Sequence, residues 1–125
     1  MIKETIMTKE APKAIGPYSQ GIKVGNVVYT SGQLPIHPKT GEMPNNIEEQ
    51  TRVSLENLKQ VVEAAGASLQ QVIKTTVFLS DMSHFAAMNH VYGEFFTDNH
   101  PARSAIEVAR LPKDAMIEIE AVAMI

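Results

Sequence analysis

Arg103 stands at the head of an alternating stretch, ARSAIEV, and Glu118 and Glu120 recur along a second, MIEIEAVAMI. A guanidinium can hold a carboxylate through two parallel hydrogen bonds, and a nearby glutamate can position water or exchange a proton. Register decides whether they act together. If Arg103 and Glu118 lie on adjoining strands with their side chains on one face, they share a cleft. A rim salt bridge is the plainer reading, and pattern alone favours it. Glu120 shares a strand face with Glu118, about 7 Å along, which would suit a pair of catalytic carboxylates. Alternating charge on a solvated strand face explains that spacing equally well.

Other candidates are weaker. Ser31, Gly32 and Gln33 follow the apolar run VVYT, where a hydroxyl and a glycine can leave backbone groups open to a ligand; a turn accounts for them too. Tyr18 in GPYSQ reads as an amphipathic core residue, and Asn89 as a polar contact between helix and loop. His37, His84, His90 and His100 show no metal-ligand spacing and read as surface or loop residues, so no metal site is expected. The chain lacks P-loop, GxGxxG and GxSxG motifs, which disfavours nucleotide binding and serine-hydrolase chemistry. With no cysteine, disulfides, thiolate nucleophiles and thiolate-held metals are excluded.

The elements that must position these residues belong to a chain of 125 residues, which suits one domain spanning 1–125. Hydrophobic residues make up 44% and charged residues 20%, which argues against disorder. A net charge of −3 without a basic run disfavours nucleic acid as a partner. No apolar run resembles a signal peptide or a membrane span, so a cytoplasmic location is expected and no membrane partner.

Ile47, Thr51, Leu55, Leu58, Val62 and Ala65 recur at helical spacing, with Glu48, Glu49, Arg52, Glu56 and Lys59 mostly outward. Asn46 suits the N-cap and Gly66 the C-terminal close. A second helix is predicted from about Ser83 to Phe96, with Phe85, Met88, Tyr92 and Phe95 on one stripe and Asn89 beside it. Between them, QVIKTTVFLS is a β-branched run.

In the last strand, Ile117, Ile119, Ala121, Ala123 and Ile125 share one face; Met116, Glu118, Glu120, Val122 and Met124 share the other. RLPKDA before it suits a hairpin back to the Arg103 strand, and Gly25-Asn26 suits an earlier hairpin. KTGE marks a turn in the long irregular stretch from Gly32 to Pro44. The order β-β-β-α-β-α-β-β argues for an α+β layer with both helices on one sheet face. The apolar residues left on the other face then call for a second subunit.

Several segments together resemble the RidA (YjgF) family of reactive-intermediate deaminases: APKAIGPYSQG, SGQLPIHPKTGE, QTRVSLENLKQVVEAAGAS, VIKTTVFLSDM and PARSAIEVARLPKDAMIEIEAVA. The resemblance runs nearly end to end. It implies a chorismate-mutase-like α+β fold, a homotrimer with sites in the clefts between subunits, and no cofactor. The implied activity is hydrolysis of 2-imino acids, such as 2-iminobutanoate and 2-iminopropanoate, to 2-oxo acids and ammonia. It places the substrate-carboxylate arginine at Arg103, the water-positioning glutamate at Glu118, and further substrate-binding positions at Tyr18, Ser31, Gly32, Asn89 and Ala105. Many relatives have cysteine where this chain has Ala105; the contact there is implied to be mainly backbone, which alanine retains. Two other functions stay open: a non-catalytic regulator that binds 2-oxo acids in the same cleft, and an RNA-acting translation inhibitor, which the negative charge disfavours.

Overall fold

The computed structural model describes residues 2–125. Eight elements follow in the predicted order: β1 (Lys3–Ile6), β2 (Gly21–Val24), β3 (Val27–Thr30), α1 (Ile47–Ala64), β4 (Val72–Leu79), α2 (Phe85–Phe95), β5 (Ala102–Glu107) and β6 (Ile117–Met124). The strands form one mixed sheet in the order β1-β2-β3-β6-β4-β5. Both helices pack on the same face of it, giving the α+β layer expected from the sequence.

Helix α1 starts where Asn46 accepts the Glu49 amide at 2.8 Å and closes at Gly66, whose φ is +90°. Its apolar stripe, Leu55, Leu58, Val61 and Val62, is fully buried against Val28, Val77, Ile117 and Ile119 of the sheet. The predicted hairpin at Gly25-Asn26 joins β2 and β3, with Gly25 in the left-handed region at φ +60°. Helix α2 begins two residues later than predicted, because Met82–His84 form a short 3-10 turn capped by Asp81. His84 in that turn is partly buried rather than a plain surface residue.

The hairpin expected between β5 and β6 does not form. β5 pairs with β4, parallel to it, while β6 inserts antiparallel between β3 and β4. The reason lies in the connections. β4, α2 and β5 form a β-α-β crossover, which sets β5 parallel and outside β4. β6 is the strand with Ile117, Ile119, Ala121 and Ala123 all buried, and that apolar edge-to-edge run belongs at the sheet centre. Residues 108–116 therefore cross the end of β4, held there by Val108 N–H to Leu79 (2.8 Å) and Ser80 N–H to Met116 (3.0 Å). Ile125 lies just beyond β6 and is exposed, on the side of Gly66 at the end of α1.

The face of the sheet away from the helices carries Ile22, Val27, Tyr29, Phe78, Ile106 and Val122 around Thr76, Glu118 and Glu120. Tyr29 is 54% and Ile106 44% exposed there. No helix among the described residues is long and apolar enough to cross a membrane.

Candidate active site

The strand register separates the two leading candidates. Arg103 pairs with Thr75, whose hydroxyl meets Tyr92 of α2 at 2.7 Å, so Arg103 lies on the helix-covered face. Glu118 pairs with Phe78 and lies on the opposite face. β4 stands between them. Within one chain they share no cleft, contrary to the expected hairpin geometry.

Each instead gathers its own group. Glu118 is partly buried and lines a cleft of about 670 Å³ together with Tyr18, Ser31 and Gly32. The sequence candidates from three distant segments thus converge here. Tyr18 is 53% exposed at the cleft wall, so its reading as a core residue is corrected. Ser31 is fixed from both ends: its amide donates to Gln20 at 2.9 Å and its hydroxyl to the Ser19 carbonyl. At Gly32 a Cβ would lie 2.5 Å from Glu118 Oε2 and 2.7 Å from its Cδ, so only glycine lets the carboxylate rest against the backbone. Burial raises the pKa of the Glu118 carboxyl from its ordinary value, and the charge of Glu120 adds to the effect. A group so tuned is suited to accept a proton from water.

Arg103, Asn89 and Ala105 form the second group at the β5 edge. Arg103 donates from Nη1 to Asn89 Oδ1 at 2.7 Å, and its guanidinium carbon lies 4.7 Å from the Tyr92 ring centre and 5.4 Å from that of Phe85. Ion pairs among the described residues join Arg52 with Glu49 and Glu94, and Arg110 with Asp114; none involves Arg103. The rim salt bridge favoured by pattern is therefore absent. A cation held by neutral partners has its charge available for an anion.

Sequence reasoning missed the groups that shape the cleft. Gln20 is buried and clamps the N-terminal strap: its Oε1 accepts from Thr8 N–H at 2.7 Å, and its Nε2 donates to Pro12 O at 2.8 Å. Asn57 and Gln50, on the buried side of α1, hold the long irregular stretch. Asn57 Nδ2 donates to Leu34 O at 3.0 Å and Ile36 O at 2.9 Å, and Gln50 Nε2 to Pro44 O at 2.8 Å. Their signal was polar residues on an otherwise apolar helix stripe, where an unpartnered amide would be costly. Lys13 and Lys113 also line the cleft, Lys113 from a left-handed backbone at φ +58°. Among the described residues no group of three or more histidines and carboxylates could hold a metal.

A family model described as Endoribonuclease L-PSP matches residues 8–125. The chain belongs to this family. It is the RidA (YjgF) family that the sequence motifs resemble. A 2-iminobutanoate/2-iminopropanoate deaminase of Escherichia coli K12 is 53% identical, with 98% of each chain aligned. A RutC family protein of Pyrococcus horikoshii is 59% identical over 98% of each. The solved structure of Escherichia coli TdcF with bound serine superposes with a TM-score of 0.95 at 50% identity, covering 98% of both chains.

Proposed function

We propose that this RidA-family chain hydrolyses 2-imino acids to 2-oxo acids and ammonia, at a site completed by a second copy of itself. One observation carries the reading: an unpaired, held arginine and a half-buried glutamate stand on opposite faces of the same sheet. A subunit docking its β5 edge beside a neighbour's open face would bring the two groups together. The apolar residues on that face supply the surface for it, and cyclic repetition of such a contact gives the homotrimer. The relatives named as imine deaminases and the serine-bound TdcF support a small carboxylate-bearing ligand.

In the proposed reaction, the partner subunit's Arg103 holds the substrate carboxylate bidentately, with Asn89 fixing the guanidinium. Tyr18, Ser31 and Gly32 form the wall against which the C=N carbon is presented. Glu118 holds a water and takes its proton as the oxygen bonds to that carbon. The C=N electron pair moves to nitrogen, which takes that proton back from Glu118, giving a neutral carbinolamine and a carboxylate ready for the next transfer. The carbinolamine hydroxyl proton is then passed through Glu118 to the amino nitrogen, the C–N bond breaks as the C=O forms, and ammonia leaves with the oxo acid. The backbone about Ala105 orients the nitrogen. Positioning supplies much of the acceleration, because such imines already hydrolyse in water, and the scheme uses no cofactor.

The second reading is a non-catalytic binder of 2-oxo acids in the same cleft, for which Arg103 alone suffices. Generating 2-iminobutanoate with an amino acid oxidase and trapping it with semicarbazide separates the two. The deaminase reading expects the protein to lower the trapped product, and expects Arg103→Ala to abolish that effect. No effect at micromolar protein refutes it.

A further inference from the structure

We infer that Phe85 and Tyr92 are positioning residues that set the plane of the Arg103 guanidinium, so that α2 works as a mount for the carboxylate anchor. The inference rests on the proposed function for its consequence and on geometry for its substance. Arg103 projects from a six-residue edge strand whose outer side has no paired strand among the described residues. A long side chain at such an edge ordinarily samples many rotamers, and ordering it costs entropy at every binding event.

Here three side chains of one helix converge on it. Phe85, Asn89 and Tyr92 are spaced i, i+4 and i+7, which places them on one face of α2. Asn89 fixes one edge of the guanidinium through Nη1 at 2.7 Å. The two rings lie within cation–π distance, at 5.4 and 4.7 Å from the guanidinium carbon. With the rings engaging the cation and Asn89 occupying one N–H, the remaining N–H groups are left for an incoming carboxylate.

The mount is itself anchored. Tyr92 is 5% exposed, its hydroxyl is tied to Thr75 in β4 at 2.7 Å, and its ring packs at a tilt against buried Phe96, with centroids 4.7 Å apart. Thr75 is also the register partner of Arg103. Sheet, helix and arginine thus close a loop of contacts, Arg103 to Tyr92 to Thr75 and back to Arg103. Neutral rings hold the cation without neutralising it, which an acidic partner would do.

The test compares Phe85→Leu, Tyr92→Phe and Tyr92→Leu with the parent in the ligand-free protein and with 2-oxobutanoate as probe. In nitrogen-15 spectra of the free protein, the Arg103 Nε–Hε resonance should carry a ring-current shift. That shift should diminish in Phe85→Leu and Tyr92→Leu and persist in Tyr92→Phe. Probe affinity should fall about threefold to thirtyfold in the leucine variants, the range of one cation–π contact, and recover towards the parent in Tyr92→Phe. In turnover the loss should appear in KM more than in kcat, because the anchor is used in ground and transition states alike. Phe85 is only partly buried, so Phe85→Leu keeps the test open should a Tyr92 variant not fold. An unshifted Arg103 resonance with affinity within twofold of the parent in folded Phe85→Leu overturns the inference. If the parent neither binds the probe nor hydrolyses imine, the deaminase reading fails, while the resonance still decides whether the rings hold Arg103.

Discussion

Arg103 and Glu118 point to opposite faces of one sheet, with the β4 strand between them. Arg103 meets Asn89 and two aromatic rings under the helices; Glu118 rests against Gly32 on the open face. Any chemistry requiring both must use two copies of the chain.

Gly32→Ala tests the closeness of Glu118 to the backbone. The added Cβ would meet the carboxylate at 2.5 Å, and the flexible end of Glu118 is what must move. Folding stability should change by less than about 1–3 kcal/mol, the usual range for overpacking. Deaminase activity should fall by up to about 100-fold, as displacing a reacting group by an ångström can do. Melting temperature and kcat/KM measured together check this; unchanged turnover would count against Glu118 as the water holder.

The pH profile should report the Glu118 environment. The residue must be ionised to take a proton from water, so turnover should drop on the acid side as pH falls through its raised pKa. Burial is the larger cause of that elevation and Glu120 the smaller. Glu120→Gln should therefore move the acid limb to lower pH without abolishing turnover. Glu118→Gln should slow turnover by about 100-fold or more while sparing oxo-acid affinity. A limb that stays in place in Glu120→Gln would remove Glu120 from the account.

Asn57→Ala should destabilise the fold through a loop rather than through the core. The substitution removes the Asn57 Nδ2 group that donates to the carbonyls of Leu34 and Ile36. Urea unfolding should show a loss of about 1–3 kcal/mol, the cost of leaving buried polar groups unmade. A loss indistinguishable from zero would mean that water replaces the amide.

Much of this architecture was legible in the sequence, and the exceptions share one cause. The α1 stripe from Ile47 to Val62 and the β6 alternation from Ile117 to Ala123 are local patterns, and both elements formed as read. Which strand lies beside which is not local. ARSAIEV and MIEIEAVAMI alternate in the same way whether they pair with each other or with β4, so the supposed hairpin, and with it the shared face of Arg103 and Glu118, was invisible to periodicity. The motif resemblance picked out Tyr18, Ser31, Gly32 and Glu118, and they line one cleft. Gln20 and Asn57 went unnoticed because a polar residue shows its role only once its partners, 8 to 12 and 21 to 23 residues away, are known.

The open face predicts an assembly. Tyr29, 54% exposed, sits across from Val122 in register, amid other apolar side chains. Sizing by light scattering should give three times the 13.7 kDa chain mass. Tyr29→Asp or Val122→Asp should shift the protein to monomer and abolish turnover together. A parent protein that runs as a monomer would refute the shared site.

Subunit complementation tests the central claim most directly. Arg103→Ala and Glu118→Ala are each expected to be inactive, yet a mixed trimer can join an intact Arg103 from one subunit to an intact Glu118 from the next. Co-expressed in equal amounts and assembled at random, the two variants should recover about a quarter of the parental rate of 2-iminobutanoate hydrolysis, since one pairing in four is fully furnished. A mixed preparation, verified to contain hetero-trimers, that is no more active than either variant alone would contradict the account.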